Sequence, residues 1–144
     1  HVTLFVCGFA NPAPRHDDDI APAVLDAQRR ALEELRMAPF ALQIGGLDSF
    51  ASAAFLAVHD RGWLAQLRST LAQLSAEVRQ APYVPHLTVG LYRQAVSAAD
   101  WRRRAAALHD CPPLALPVRE LQLLSYAASE PQGALRIEAR VALA

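Results

Sequence analysis

A chain of 144 residues with 53% hydrophobic side chains is long enough to bury the core of one domain and too apolar to be disordered. Its 14 basic and 14 acidic side chains cancel, and this balance argues against a protein that binds along an extended nucleic acid. No apolar run is long enough to span a bilayer, and no signal peptide is visible. Because Cys7 and Cys111 have neither the spacing of a metal site nor the density of a disulfide framework, we expect a cytoplasmic protein with reduced thiols.

The first part of the chain predicts a strand, a loop and a helix. Residues 2–9 are rich in β-branched and aromatic side chains, which is typical of a buried strand. Residues 11–19 predict a loop whose aspartates can cap the helix that follows. We expect that helix over residues 22–37, with Pro39 ending it.

The middle of the chain predicts a hairpin and a second helix. Apolar residues alternate over 40–44, which predicts a strand ending at Gly45-Gly46, and residues 53–58 are its expected partner. Asp60 is a candidate N-cap for a helix that Pro82 closes. Its buried stripe follows a three-four spacing through Leu64, Leu67, Leu71, Leu74 and Val78.

The last part predicts three strands and one more helix. A strand is expected over residues 84–92, and a capping box of Ser97 and Asp100 opens a helix that runs to about His109. After the break at residues 111–113, strands are expected over 116–126 and 135–143. This order of elements predicts a single α+β domain over residues 1–144, with helices covering antiparallel sheets.

One short motif occurs twice, each time on a predicted strand. The chain opens with His1-Val-Thr-Leu and later carries His86-Leu-Thr-Val. Because alternate side chains of a strand share a face, His1 lies beside Thr3 and His86 beside Thr88. The intervening residues are expected to point into the core: Val2, Leu4, Leu87 and Val89.

Two such pairs suit an in-line attack on phosphorus. One imidazole can take a proton from the attacking water or hydroxyl while the other, as imidazolium, protonates the departing oxygen. The hydroxyls of Thr3 and Thr88 can donate to the non-bridging oxygens, whose charge must be stabilised in the transition state. This chemistry requires no metal and no other cofactor.

These motifs resemble those of the 2H phosphoesterase superfamily, which includes RNA 2′,3′-cyclic phosphodiesterases and 2′-5′ RNA ligases. The resemblance extends to Gly8, to the Tyr83-Val-Pro sequence before the second motif, to residues 40–50, and to residues 121–125 with Gly133. It implies two lobes of antiparallel sheet with a central cleft and helices packed on the outer faces. It also implies that His1 and His86 are catalytic and that the substrate is a cyclic phosphate, with joining of 2′-5′ ends as the reverse reaction.

The sequence departs from the family pattern in two places. Family members usually carry a strand and a helix before their first motif, about forty residues by the usual size of such a unit, and we expect this domain to lack them. Leu91 stands where the RNA-processing members often have an arginine. Arg93, two residues later on the same strand face, is the expected substitute.

Other residues are candidates for substrate contact. Tyr92, which shares the His86 face by strand parity, and Tyr126 could stack on a base, whereas Tyr83 lies on the opposite parity. Ser125 matches a family serine and is expected to line the cleft. The three remaining histidines are interpreted as structural: His16, His59 and His109. The expected partner of this monomer is a small cyclic nucleotide or an RNA terminus, with no extended nucleic-acid surface and no membrane.

Two other classes of function stay open at this point. One is a binding module that recognises a nucleotide or an RNA end without turnover, against which the intact motifs argue. The other is a copper site in which an N-terminal His1 supplies amine and imidazole and a second histidine completes the ligation. That site would need His1 to be the mature terminus of a secreted protein.

Overall fold

The computed structural model of the protein describes residues 1–79, 81–108, 111–130 and 133–144. Three α-helices and eight strands lie within these ranges. The helices are α1 Pro22–Glu34, α2 Trp63–Ala72 and α3 Ala98–Ala105, the last followed by one 3-10 turn, Ala106–Leu108. The strands are β1 Phe9–Ala10, β2 Asp19–Ile20, β3 Phe40–Ser49, β4 Ala53–His59, β5 His86–Leu91, β6 Leu114–Val118, β7 Glu120–Ser125 and β8 Arg136–Ala142.

The larger sheet is antiparallel and has the strand order β5-β4-β3-β6. The strands β7 and β8 form a second antiparallel sheet, whereas β1 and β2 make a short parallel pair. The α+β class predicted from the sequence is confirmed. No helix among the described residues is both long and apolar enough to cross a membrane.

The core lies between the larger sheet and α2. Phe40, Leu42 and Ile44 are buried on one face of β3, while the side chains between them are exposed. Leu67 of α2, which has no exposed surface, packs in the same cluster, as does Leu143 after β8. The predicted alternation and the predicted helix stripe therefore meet in one apolar cluster.

The strand β3 is longer than predicted, because it continues through Gly45-Gly46 to Ser49. The pairing with β4 shifts between Ile44 and Leu47, which marks a bulge at the two glycines. Gly46 has a φ of +77°, a conformation that glycine adopts at little cost. The bulge therefore absorbs the residues that were expected to end the strand.

The first helix is capped and ended differently from the prediction. Its N-cap is Ala21, which makes no side-chain capping bond. Asp19 instead accepts hydrogen bonds within the preceding loop, from Asn11 and from the backbone of Arg15 and His16. The helix stops at Glu34 rather than at residue 37, before Arg36 enters the left-handed region at φ +44°.

One of the two other helix starts agrees with the sequence. The N-cap of α2 is Gly62 rather than Asp60, although Asp60 Oδ2 accepts a bond from the Leu64 backbone at 2.7 Å. Ser97 is the N-cap of α3, and its Oγ accepts a bond from the Asp100 backbone at 3.1 Å. The second helix ends at Ala72, so Leu74 is not part of its buried stripe and is 41% exposed. The third ends at Ala105, and the expected end at His109 lies outside the described residues.

Three of the predicted strands are wrong in extent. Within residues 2–9 the structure assigns strand only from Phe9, because the backbone before it is bonded mainly to side chains rather than to a neighbouring strand. The strand expected over residues 116–126 is divided at Arg119, since β6 pairs with β3 and β7 pairs with β8. Residues 84 and 92 lie outside β5, which is shorter than predicted.

Candidate active site

The second motif lies on β5, at one edge of the larger sheet. The His86 Nδ1 atom is 2.7 Å from the Val84 carbonyl oxygen, which can only accept a hydrogen bond. Nδ1 therefore donates to this carbonyl, and Nε2 is the ring nitrogen left free. Phe50 and Phe55 contact the ring edge to face, with centroids at 4.9 and 5.5 Å.

Thr88 shares the face of His86, as the motif predicts. His86 pairs with Ala57 of β4, and Thr88 pairs with Phe55, two residues away on the same face of that strand. Leu87 points to the opposite side and packs against the core. The imidazole and the hydroxyl therefore stand together on the face that turns away from the core cluster.

The alternation breaks directly after Thr88. Thr88 and Gly90 pair with the adjacent residues Phe55 and Ala54, so Val89 is the extra residue of a bulge. The expectation that Val89 points into the core is wrong, because its side chain is 52% exposed. Gly90 and Leu91, which complete the strand, therefore lie on the faces opposite to those that simple parity predicts.

The bulge changes the positions of two proposed substrate residues. Leu91 pairs with Ala53, which puts Leu91, rather than Tyr92, on the His86 face. The Tyr92 hydroxyl lies 2.8 Å from Ser49 Oγ, so the parity argument for Tyr92 is wrong. Arg93 is exposed but follows the end of β5, so it does not share a strand face with Leu91.

The first motif lies on the segment of residues 1–8. His1 is exposed and Thr3 is half-buried, while Val2 and Leu4 pack against the core as predicted. The Tyr83 hydroxyl donates to the Thr3 carbonyl at 3.0 Å. This hydrogen bond joins the neighbourhoods of the two motifs across 80 residues of sequence.

Three side chains surround this junction: Arg68 of α2, and Glu77 and Tyr83 of the α2–β5 connection. We call them the Arg68 cluster. The Arg68 guanidinium donates to the Leu4 carbonyl at 2.6 Å and to Glu77 Oε2, and it lies 3.9 Å from the Tyr83 ring centroid. Glu77 Oε1 accepts from the Val6 backbone at 3.0 Å.

Both ionisable partners of Arg68 have displaced pKa values. Burial would raise the pKa of Glu77, but the bonds from Arg68 and Val6 outweigh it, and the pKa lies below its ordinary value. Burial raises the pKa of Tyr83, and the positive charge of Arg68 only partly offsets this effect. At neutral pH Glu77 is therefore a carboxylate acceptor and Tyr83 a hydroxyl donor.

The remaining candidates lie away from β5. Ser125 ends β7 in the smaller sheet, where its hydroxyl donates to Glu138. Tyr126 follows it and is 59% exposed. His59 is exposed at the end of β4, His16 lies in the loop before β2, and His109 falls outside the described residues. Among the residues described, no three His, Cys, Asp or Glu side chains are grouped as metal ligands.

Sequence reasoning missed the contacts that hold the two motifs. Phe55 faces the second motif from β4, which pairs with β5 in the sheet although α2 separates the two strands in the chain. Arg68 gave no signal beyond its position on an amphipathic helix, since its partner Leu4 is 64 residues away. The role of Glu77 could not be predicted either, because the sequence shows it only as one carboxylate in a polar connection.

Comparison with known proteins identifies the family. The sequence matches the family model of the 2′-5′ RNA ligase superfamily over residues 1–130. The fold is similar to that of E. coli LigT in a crystal structure with 3′-AMP, with a TM-score of 0.57 and 22% identity, over 86% of this chain and 71% of LigT. Among curated proteins, none matches this sequence. The likeness to LigT concerns the fold, and the family match covers both His-x-Thr motifs, so the chain belongs to the 2′-5′ RNA ligase superfamily, the 2H phosphoesterases.

Proposed function

We propose that the protein is a metal-independent phosphoesterase that opens a cyclic phosphate, either a nucleoside 2′,3′-cyclic phosphate or an RNA end bearing one. Water adds to phosphorus, the bond to one ribose oxygen breaks, and that oxygen receives a proton, which leaves a phosphomonoester. His1 and His86 supply the general base and the general acid. When the 5′-hydroxyl of a second RNA end attacks in place of water, the bond to the 3′-oxygen breaks, that oxygen receives a proton, and the two ends are joined by a 2′-5′ linkage; this is the reverse of cleaving such a linkage.

The observation that carries this proposal is the state of His86. Its Nδ1 is bound to the Val84 carbonyl, so Nε2 is the atom available for proton transfer, and Thr88 stands on the same face to donate to a phosphoryl oxygen. Family membership supports a second histidine of the same kind at His1. LigT was crystallised with 3′-AMP, a nucleoside monophosphate of the kind that ring opening releases.

The proposal extends to the setting of the enzyme. Both cysteines, Cys7 and Cys111, are free, which suits a cytoplasmic monomer. Thr3 and Thr88 are the proposed contacts for the phosphate, and the exposed Arg93 and Tyr126, with Tyr92 and Ser125, are the proposed contacts for the rest of an RNA end.

Substitution of the two histidines tests the mechanism. His1→Ala and His86→Ala should each lower turnover of a 2′,3′-cyclic nucleotide about 10²–10⁴-fold, the usual worth of a positioned acid or base. Because the two groups act on one transfer, the double variant should be far less than multiplicatively worse. His16→Ala, in the loop before β2, is the matched control and should keep full turnover.

Two other outcomes would replace the proposal. Binding of cyclic nucleotides without turnover by the wild type would indicate a binding module. Loss of turnover on exhaustive chelation, restored by copper, would indicate a metal site at His1. Full turnover in either single histidine variant would remove that histidine from the mechanism.

A further inference from the structure

The two motifs are linked by one short hydrogen-bonded path. From His86 the chain runs back three residues to Tyr83, whose hydroxyl donates to the Thr3 carbonyl, two residues from His1. We propose that Tyr83 is a positioning residue that sets where the His1 imidazole stands relative to His86. This inference rests on the proposed function, because Tyr83 acts through His1 and touches no substrate.

The orientation of the Tyr83 ring is itself fixed by the Arg68 cluster. The guanidinium of Arg68 stacks over the ring at 3.9 Å, and its two terminal nitrogens are held by the Leu4 carbonyl and by Glu77. The Arg68 side chain is only 20% exposed, so solvent competes little for these bonds. A ring held in this way directs its hydroxyl at Thr3 without the entropic cost of ordering a free side chain.

The first segment depends on these side chains because no strand among the described residues pairs with residues 1–8. The carbonyls of Thr3 and Leu4 are bonded by Tyr83 and Arg68 instead. Loss of one such bond frees backbone two residues from a proposed catalytic imidazole. A displacement of about 1 Å at a reacting group can cost on the order of a hundredfold in rate.

Tyr83→Phe is the first test, because it deletes the hydroxyl and leaves the ring beneath Arg68. We expect kcat for a 2′,3′-cyclic nucleotide to fall about tenfold, within the range for a misplaced catalytic group, with KM changed less than about twofold. Arg68→Gln should act in the same direction. Arg29→Gln, which breaks an exposed helix pair with Glu33, is the matched control and should leave kcat unchanged.

A double-mutant cycle separates positioning from a general structural effect. If Tyr83 acts through His1, Tyr83→Phe should cost less than about twofold in a His1→Ala background, since no imidazole remains to be misplaced. A purely structural role would lower kcat by the same factor in both backgrounds. That equal loss would overturn the proposal.

The environment of the His1 ring can be measured by NMR without an activity assay. In NMR spectra of the full chain, Tyr83→Phe should shift the His1 imidazole resonances and leave those of His16 and His59 in place. An unmoved His1 resonance in a folded variant would overturn the positioning role. If the wild type shows no turnover at all, the proposed function fails, while this spectrum still decides the role of Tyr83.

Discussion

The imidazole of His86 has little freedom before any substrate binds. The carbonyl of Val84 fixes one ring nitrogen, and the rings of Phe50 and Phe55 limit rotation from two other directions. Phe50 and Phe55 also stack on each other, with centroids 4.2 Å apart, so neither moves independently. If His86 is the proposed acid or base, a ring held in this way is already oriented for proton transfer.

Thr88 allows its hydroxyl to be tested apart from its shape. Thr88→Val keeps the β-branched form on an exposed strand position, whereas Thr88→Ser keeps the hydroxyl. If the hydroxyl donates to an oxygen that gains charge in the transition state, Val should reduce turnover about 10–10³-fold and Ser should retain most of it. Melting temperatures should be compared first, to show that both variants fold, and steady-state kinetics then measured. A folded Val variant with wild-type kinetics would show that the Thr88 hydroxyl does not bind the phosphate.

At the scale of elements, two bulges explain why β3 is longer than predicted and why the faces of β5 change after Thr88. The hairpin of β3 and β4 and the strand β5 were predicted, because local alternation of apolar residues specifies them. The bulges at Gly45-Gly46 and at Val89 were not, because each depends on the register with a neighbouring strand. The face predicted for Tyr92 was therefore wrong, although the strand before it was predicted correctly.

The first segment was mispredicted for a related reason. Its composition favours a strand, but a strand also needs a partner, and among the described residues β1 begins only at Phe9. Three bonds to the segment come from side chains 64 to 80 residues away in sequence, those of Arg68, Glu77 and Tyr83. A fourth comes from the Val78 backbone, which donates to the Val6 carbonyl. The helix cap at Ser97 was predictable because the bonded atoms lie within three residues of each other.

Gly8 ends the first segment at a point where the backbone has no room for a side chain. Its φ is +113°, and an added Cβ would lie 2.3 Å from the Asp18 carbonyl oxygen. Gly8→Ala should lower the free energy of unfolding by about 1–3 kcal/mol from backbone strain and by more from the clash. Urea unfolding of the variant and the wild type measures this difference.

Two glycines serve as controls for Gly8. Gly62 has a φ of +97° with no neighbour within 4 Å of an added Cβ, so Gly62→Ala reports strain without a clash. Gly90 has open space and no positive φ, so Gly90→Ala should change stability least. Equal destabilisation in the Gly8 and Gly62 variants would show that the contact between the added Cβ and the Asp18 carbonyl oxygen does not lower the free energy of unfolding.

For the whole molecule, displaced pKa values predict the limits of the stable pH range. The pKa values of Asp19, Asp100 and Glu77 all lie below their ordinary range, through hydrogen bonds in three separate regions. The folded state holds these protons less tightly than the unfolded state, so stability falls as pH drops through the folded pKa values. Burial raises the pKa values of Cys7 and Tyr83, so stability also falls as pH rises into their range.

Glu77 should dominate the acid side, because its side chain is 11% exposed and is bonded to both Arg68 and Val6, whereas solvent screens the exposed loop and helix-end carboxylates. Glu77→Gln removes the charge while keeping nearly the same volume. At about pH 7 the variant should be less stable than the wild type. This difference should shrink as pH falls through the lowered pKa of Glu77, because protonation takes the same charge from the wild type. Urea unfolding across the pH range measures the difference in the free energy of unfolding between the variant and the wild type. Glu34 is an exposed carboxylate on α1, so Glu34→Gln is the control for the change in net charge. A difference that stays constant with pH would mean that the fold does not depend on ionised Glu77.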